Sequence, residues 1–417
     1  MAESNICLIG NGAASMEAIK GLRESNFEGQ IHLISDSIWP SYNPMLTTYY
    51  VAGKIDFEDM FPFGYSMDFY NKYGVNVYFG SKVVELDAEN KTIKSAAGQV
   101  WNYDKCLVAS GASPALPPIM GINSKNVYTM RTIEDAIKLK EALKKNPKKA
   151  LVVGASMVGI KVVELFDEAG LEVCLADLAS CIFPIAAHKE CARVIEQKLI
   201  KKGIELKLDA GLEGIEETKK GAIAYFTNGE SVEADIIVVC VGVKANLDFI
   251  DKTQITIDKG ILIDDYMRTN DSDVYAAGDV SQGTNLLTGK KEIIGLWTNA
   301  RYQGRTAGRN IAGANETYKG NTLNNITHFM GMLFTGIGSL NAGDHHEIYN
   351  KENSYVYLVW DDDKLVGVNM LGDSCSNIGM VKNALEKSLI VKKYLSKNDL
   401  CSENLRNSLL ISYFRPK

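Results

Sequence analysis

The sequence predicts an α/β chain in which one strand–turn–helix nucleotide fold is inserted inside another, followed by an α+β unit at the C-terminal end. Three observations predict it. Ile6–Ile9 is an apolar run ending in the glycine turn Gly10-Asn11-Gly12-Ala13-Ala14-Ser15. Ala150–Val153 is a second such run, ending in Gly154-Ala155-Ser156-Met157-Val158-Gly159. Beyond Gly320 the pattern changes, and Tyr355–Val359 and Leu365–Leu371 flank Asp361-Asp362-Asp363-Lys364, a β-hairpin signal. Each glycine turn brings backbone N–H groups and a helix N-terminus to a point where a pyrophosphate can sit. Two such cradles on one chain imply a relay between two dinucleotides, most simply FAD and a nicotinamide.

The elements follow in order. Residues 6–9 and 31–34 read as parallel strands, with a helix over Ser15–Glu24 between them. Asp36 closes the second strand, about 20 residues past the turn, where a ribose-binding acid belongs; Ser35 or backbone groups are the alternative holders. Residues 37–64, rich in Pro, Tyr and Gly, read as a long functional loop. Val75–Phe79 and Val83–Leu86 are short strands. The apolar strand ending at Val108 runs into Ala109-Ser110-Gly111, and Pro114, Pro117 and Pro118 mark a domain boundary. Thr132 caps a helix running to about Lys145, with Glu134 and Asp135 at its positive end. The basic stretch Lys144–Lys149 is a solvated turn.

In the second fold, Ser156 stands where the motif's middle glycine allows close backbone approach. Strand Leu171–Ala176 ends at Asp177, which can accept from a ribose 2′-hydroxyl and repels a 2′-phosphate. NADH is therefore expected over NADPH. Ile236–Val241 ends at Gly242, Val274–Ala277 ends at Gly278-Asp279, and helices follow at about Asn299–Ile311 and Asn377–Val391. The expected organisation is two Rossmann-like dinucleotide-binding domains and a third unit. The first domain spans 1–115 and 245–320, the inserted one 116–244, and the C-terminal α+β interface domain 321–417.

Composition sets limits. The 417 residues are 46% hydrophobic and 23% charged, which suits two to four globular domains of about 100–200 residues each. The net charge, 45 − 51 = −6, argues against nucleic acid as a partner. The acidic Met1–Asn5 has no signal-peptide character, and no apolar run approaches the roughly 18 residues of a membrane span. A cytoplasmic location is expected. The eight cysteines have no CxxC spacing; Cys7, Cys106, Cys174 and Cys240 lie in apolar strands as small buried hydrophobes, whereas Cys181 and Cys191 are candidate exposed thiols. The five histidines form no metal constellation: His345-His346 read as a polar surface turn, and His328 as core.

These stretches resemble the FAD-dependent pyridine-nucleotide oxidoreductases, in particular the branch of rubredoxin reductases, ferredoxin reductases and the flavin part of assimilatory nitrite reductases. The resemblance runs in order through the first glycine turn, Pro40–Leu46, Ala109–Pro114, Met130–Ala136, the second glycine fold, Val241–Asn246, Ala277–Asp279 and Trp297–Gly304. The tail and residues 37–54 are also similar to NADH-binding flavoprotein subunits of multi-subunit 2-oxoacid and aldehyde oxidoreductases. The resemblance implies FAD contacts at Gly10, Gly12, Ala13, Ser15, Asp36, Asn43, Val83, Ala109, Ser110, Gly111, Arg131, Gly278, Asp279 and Trp297. It implies NADH contacts at Gly154, Ser156, Val158, Gly159, Asp177, Val241 and Gly242. Arg131 as a surface ion pair and Trp297 as core packing are the plainer readings of those two.

Three departures from the family pattern matter. Thiol-using relatives carry a cysteine just after the Tyr42–Leu46 motif, where this chain has Thr47 and Thr48. That counts against disulfide reductase, water-forming oxidase and peroxidase chemistry. Lys161 stands where many relatives have a glutamate; it either places a positive charge beside the flavin or simply reaches solvent. Ala245 replaces a common proline. The expected enzyme passes electrons from NADH through FAD to a redox protein or partner subunit, reversibly, without a side-chain nucleophile. A homodimer or a subunit of a hetero-oligomer is expected. Lysines 382, 387, 392 and 393 form a solvated face or a dock for an acidic redox protein. A stand-alone NADH oxidase or small-molecule reductase, and a non-catalytic FAD/NADH sensor, are the alternatives.

Overall fold

The computed structural model describes residues 4–340, 343, 345–351 and 354–387. The chain divides into two compact units, each discontinuous. The first comprises the segment up to Tyr50, Ile55–Ser113 and Val243–Asn321; the second comprises Val51–Lys54, Pro114–Gly242 and the chain from Thr322 onward.

The first unit is built on a parallel sheet in the order Val274–Ala276, Lys105–Val108, Asn5–Ile9, Gln30–Ile34, Val75–Tyr78. Ile6, Cys7, Leu8 and Ile9 are all buried, as expected of a central strand covered on both faces. Cys7 and Cys106 are register partners on neighbouring strands yet both are free thiols, and burial pushes Cys7 up to about 12. Helix Ala13–Glu24 starts earlier than Ser15, because Gly12 is its cap.

Helix Trp297–Ile311 packs along Ala13–Glu24 at very short range. A Cβ on Gly304 would lie 2.1 Å from the Ala14 carbonyl oxygen, and one on Gly308 would lie 2.1 Å from that of Ala18. Both pairs are spaced by four residues, so each lies on a single helix face. Charges fasten the outer side of this seam. The buried Glu17 carboxylate accepts from Lys20, Arg301 and Arg305 at 2.9–3.1 Å, and Glu24 accepts from Arg305 and Arg309. Burial alone would raise Glu17; hydrogen bonds from Lys20 and Arg301 outweigh it and hold the carboxyl below its usual range.

The second unit has its own parallel sheet, ordered Glu205–Lys207, Glu172–Ala176, Lys149–Val153, Ile236–Val239, Val127–Tyr128. Thr132 caps helix Ile133–Leu143 in a full capping box with Asp135. An antiparallel tail sheet, ordered Asn324–Phe329, Met332–Gly338, Lys364–Gly372, Ser354–Asp361, His345–Lys351, packs against helices Met157–Glu168 and Lys189–Lys201. The tail, which the sequence pattern sets apart as a third domain, thus shares a unit with residues 114–242. The seam is tight, since a Cβ on Gly336 would lie 2.1 Å from the Ala186 carbonyl oxygen.

Several local readings need correction. His345-His346 open a strand rather than a turn, because they pair with Trp360 and Val359. His328 is exposed, since it lies on the solvent side of edge strand Asn324–Phe329. Cys191 is fully buried on the inner face of helix Lys189–Lys201, so it is no exposed thiol; Cys181 is half-buried. The loop at 37–64 contains the short helices Pro44–Leu46, Thr47–Val51 and Glu58–Met60. The last described helix is Ile378–Glu386; Lys392, Lys393 and Cys401 lie outside the described residues. Among the described residues no helix is long and apolar enough to cross a membrane, and no cluster of His, Cys, Asp or Glu could hold a metal ion.

Candidate functional site

The first cradle stands at the C-terminal end of the first unit's central strand. Gly10 has φ +102°, and a Cβ there would lie 2.3 Å from the Ala109 carbonyl oxygen, so only glycine fits. Gly12 is extended and caps helix Ala13–Glu24 with no side chain in front of it. Nothing lies within 4 Å of where its Cβ would be. The helix N-terminus therefore faces open space, as a bound pyrophosphate requires. Ser15, at the motif's last position, turns inward, and its hydroxyl donates to the Gly10 carbonyl at 2.6 Å. The turn Gly278-Asp279 lies above the same helix end: a Cβ on Gly278 would be 3.6 Å from Ala14 Cβ and 3.5 Å from Ala300 Cβ. Asp279 is half-buried there.

Other predicted residues of this unit sit as follows. Asp36 is exposed just past strand Gln30–Ile34. Asn43 caps the turn Pro44–Leu46 by accepting from the Met45 N–H at 3.0 Å. Val83 begins an antiparallel strand and is nearly buried. The Ser110 hydroxyl donates to the Asn246 carbonyl at 2.9 Å, and Gly111 has φ +67°. Trp297 opens its helix half-exposed, 6.5 Å from the Phe63 ring. Arg131, in the second unit, precedes helix Ile133–Leu143, and its N–H donates to Asp135.

Three supporting residues escaped the sequence reading. Asn11 lies inside the glycine turn; its amide donates to the Trp39 carbonyl at 3.0 Å and accepts from the Tyr70 hydroxyl at 2.9 Å, which in turn accepts from the Ser41 N–H. This ties the 37–64 loop to the cradle. Gln303 accepts from the Gly278 N–H at 2.8 Å and the Ser281 hydroxyl at 3.2 Å, fixing the Gly-Asp turn. Asn246 holds Ser110 and Ser113 together. All three lie within matched motifs, but only spacing with their partners, invisible in sequence, gives them a role. The Ser41 hydroxyl is buried with no protein partner, an orphan of the kind a bound polar ligand satisfies.

The second cradle repeats the design. Gly154 has φ +109°, and a Cβ there would lie 2.5 Å from the Cys240 carbonyl oxygen. Ser156 caps helix Met157–Glu168, accepting from the Gly159 N–H at 3.2 Å and donating to the Cys240 carbonyl at 3.0 Å. The serine thus replaces a glycine by becoming a cap. Gly159 crosses so close to the turn that a Cβ would lie 1.9 Å from the Gly154 carbonyl oxygen. The Asp177 carboxylate accepts from the Ala155 N–H at 2.5 Å and the Ala179 N–H at 2.7 Å. Gly242, with φ +114°, has open space beside it, and the exposed apolar side chains Val158, Leu178 and Val241 give the cradle nonpolar walls. These residues fit a dinucleotide: small at the pyrophosphate, acidic at the ribose, apolar at the rings.

Lys161 lies one turn into that helix. Its ammonium donates to the Glu164 carboxylate at 2.5 Å and to the His328 carbonyl. Glu164 also accepts from the Met330 N–H at 2.6 Å. Burial pushes Glu164 up, but the Lys161 and Met330 hydrogen bonds prevail, and the carboxyl titrates below its usual range. The Lys161 charge is therefore balanced by a buried anion.

One expected result follows from Asp177. If Asp177 faces the ribose 2′ position, Asp177→Ser removes a charge that would repel a 2′-phosphate, and the NADPH-to-NADH ratio of kcat/KM should rise about 10- to 100-fold. Steady-state rates with both nucleotides check this; an unchanged ratio would show that Asp177 serves only as a turn cap.

The epsilon subunit of NADH-dependent phenylglyoxylate dehydrogenase from Aromatoleum evansii is 31% identical over 346 residues, covering 82% of this chain and 81% of that subunit. The assimilatory nitrate reductase electron transfer subunit of Bacillus subtilis (strain 168) is 28% identical over 382 residues. That match takes in 90% of this chain, which spans only about half, 48%, of the relative's length. The structure of an NAD-dependent persulfide reductase from A. fulgidus superposes with a TM-score of 0.90 at 25% identity, over 98% of this chain and 83% of that one. Residues 4–304 match the pyridine nucleotide-disulphide oxidoreductase family, whose members use FAD and a pyridine nucleotide, and the chain belongs to it as an NAD(P)H-dependent flavin oxidoreductase.

Proposed function

We propose that this chain oxidises NADH and passes the electrons, by way of FAD, to a protein acceptor: a rubredoxin- or ferredoxin-type protein, or a partner subunit carrying iron–sulfur or metal cofactors. Reverse flow to NAD⁺ belongs to the same chemistry. The observation that carries the reading is the pairing of two complete cradles with the lack of a reactive thiol beside the first. Where thiol-using relatives have cysteine, Thr47 is buried, with its hydroxyl donating to the Pro44 carbonyl at 2.8 Å. The nearest cysteines in sequence, Cys7 and Cys106, are sealed in the sheet. Among the described residues every cysteine is a free thiol, which supports delivery of the electrons to an outside acceptor. The likeness to subunits of larger reductases and dehydrogenases supports the same destination.

The residues' parts are positional. Gly10, Gly12 and Ala13 admit the FAD pyrophosphate, with Ser15 bracing the turn; Asp36 and Asp279 accept from sugar and ribityl hydroxyls. Asn43, Val83, Ala109, Ser110, Gly111, Arg131 and Trp297 complete the proposed flavin set. Gly154, Ser156, Val158, Gly159, Val241 and Gly242 admit NADH, and Asp177 orients its ribose. Bound FAD supplies hydride acceptance and release of electrons singly or in pairs. Lys161, bound to Glu164, acts as a positioning residue.

The test uses the flavin-loaded protein. NADH with an artificial dye should give steady turnover, and a rubredoxin or ferredoxin should be reduced faster than oxygen. Vigorous hydrogen peroxide production with no protein acceptor would favour a stand-alone oxidase. No dye reduction at all would leave a sensor.

A further inference from the structure

Ala155, in the second glycine turn, is a node with two bonds. Its N–H is held by Asp177, and its carbonyl accepts from the Phe183 N–H at 2.9 Å. Phe183 is buried in a left-handed conformation, φ +50°, and its ring packs on Phe329 and Phe334 of the tail sheet, with centroids 5.6 and 5.0 Å away. A second route starts from the same cradle. Helix Met157–Glu168 has its N-terminus at the turn, and Lys161 and Glu164 grip both sides of the tail hairpin tip at the His328 carbonyl and Met330 N–H. Met330 and Gly331 form the two-residue hairpin turn, with φ +47° and +75°, the pair of positive φ values such a turn requires. Two independent chains of contact therefore join the turn that receives the dinucleotide to one hairpin, Asn324–Phe329 with Met332–Gly338.

Resting on the reading of residues 154–177 as the NADH site, we propose that Lys161 and Glu164 form a two-pronged clamp coupling occupancy of that site to the order of the tail hairpin. Filling the cradle fixes the first turn of helix Met157–Glu168 and the Ala155–Phe183 contact, and both hold the hairpin. By reciprocity, a released hairpin weakens nucleotide binding by the same factor. The tail thereby carries the nucleotide state of the enzyme to whatever reads its surface.

The experiment measures hydrogen exchange across 326–334 in the FAD-loaded full chain, with and without saturating NAD⁺, alongside NAD⁺ titrations. In the natural protein NAD⁺ should slow exchange there at least about fivefold, the lower range of ordinary couplings. Lys161→Met should keep its flavin absorbance, lose that protection and bind NAD⁺ about fivefold more weakly. Lys161→Arg, which keeps both prongs, should restore both. Glu164→Gln, which keeps an acceptor for Met330 but loses the ion pair, provides a second variant should Lys161→Met fail to fold. NAD⁺ that binds without changing hairpin exchange would overturn the clamp alone. NAD⁺ that does not bind at all would overturn the NADH-site reading and the clamp with it.

Discussion

Gly159→Val should leave the protein yellow and slow its NADH-driven dye reduction about five- to hundredfold. The absent Cβ of Gly159 stands 1.9 Å from the Gly154 carbonyl oxygen, a backbone atom that cannot rotate away. Relief requires the helix to back off from the turn, widening the cradle at the proposed NADH pyrophosphate site. Overpacking of this kind costs about 1–3 kcal/mol. Expressed at the binding step, that is roughly a five- to hundredfold loss in kcat/KM for NADH. Gly159 belongs to the second unit, so the flavin cradle of the first is untouched. Visible absorbance and dye-reduction kinetics on one preparation check both halves. A variant that loses flavin, or keeps full NADH turnover, would contradict the assignment.

Gly304→Val should destabilise the whole first unit by about 3 kcal/mol, the upper range for a well-packed core. Its side chain would enter the Ala14 backbone, in the first turn of the helix proposed to face the FAD pyrophosphate. Helix separation there also disturbs Gln303, which fixes the Gly278-Asp279 turn. The urea midpoint should fall and flavin should be lost on gel filtration. Gly379→Ala is the matched control: nothing lies within 4 Å of its Cβ position in helix Ile378–Glu386, so stability should hold or rise slightly. Equal losses in the two variants would remove the helix seam as the cause.

The glycine turns were legible in sequence because their requirements are local. Gly10 and Gly154 need positive φ and close backbone passage, and an apolar strand before with a helix after is sufficient sign of that. The hairpin at Ser354–Asp361 and Lys364–Gly372 was legible for the same reason. The roles of Ser15 and Ser156 were not, since a serine in a glycine motif reads as a departure until its hydroxyl is seen bonding Gly10 or capping Gly159. Asn11, Gln303 and Asn246 work across long sequence separations, which no periodicity records. The bonds of Lys161 to Glu164 and the hairpin tip were not legible, because these are ordinary residues in sequence and meet only in the fold. His345-His346 misled because a polar pair resembles a turn, whereas an edge strand tolerates the same residues.

The order of strands in the first sheet has a consequence for biosynthesis. Val274–Ala276 lies directly beside Lys105–Val108, so the sheet stays incomplete until the 274 − 108 − 1 = 165 intervening residues have been translated. At about 5–20 residues per second, a ribosome needs roughly 10–30 s for that stretch. Throughout this interval the nascent amino-terminal half exposes the unpaired edge of Lys105–Val108.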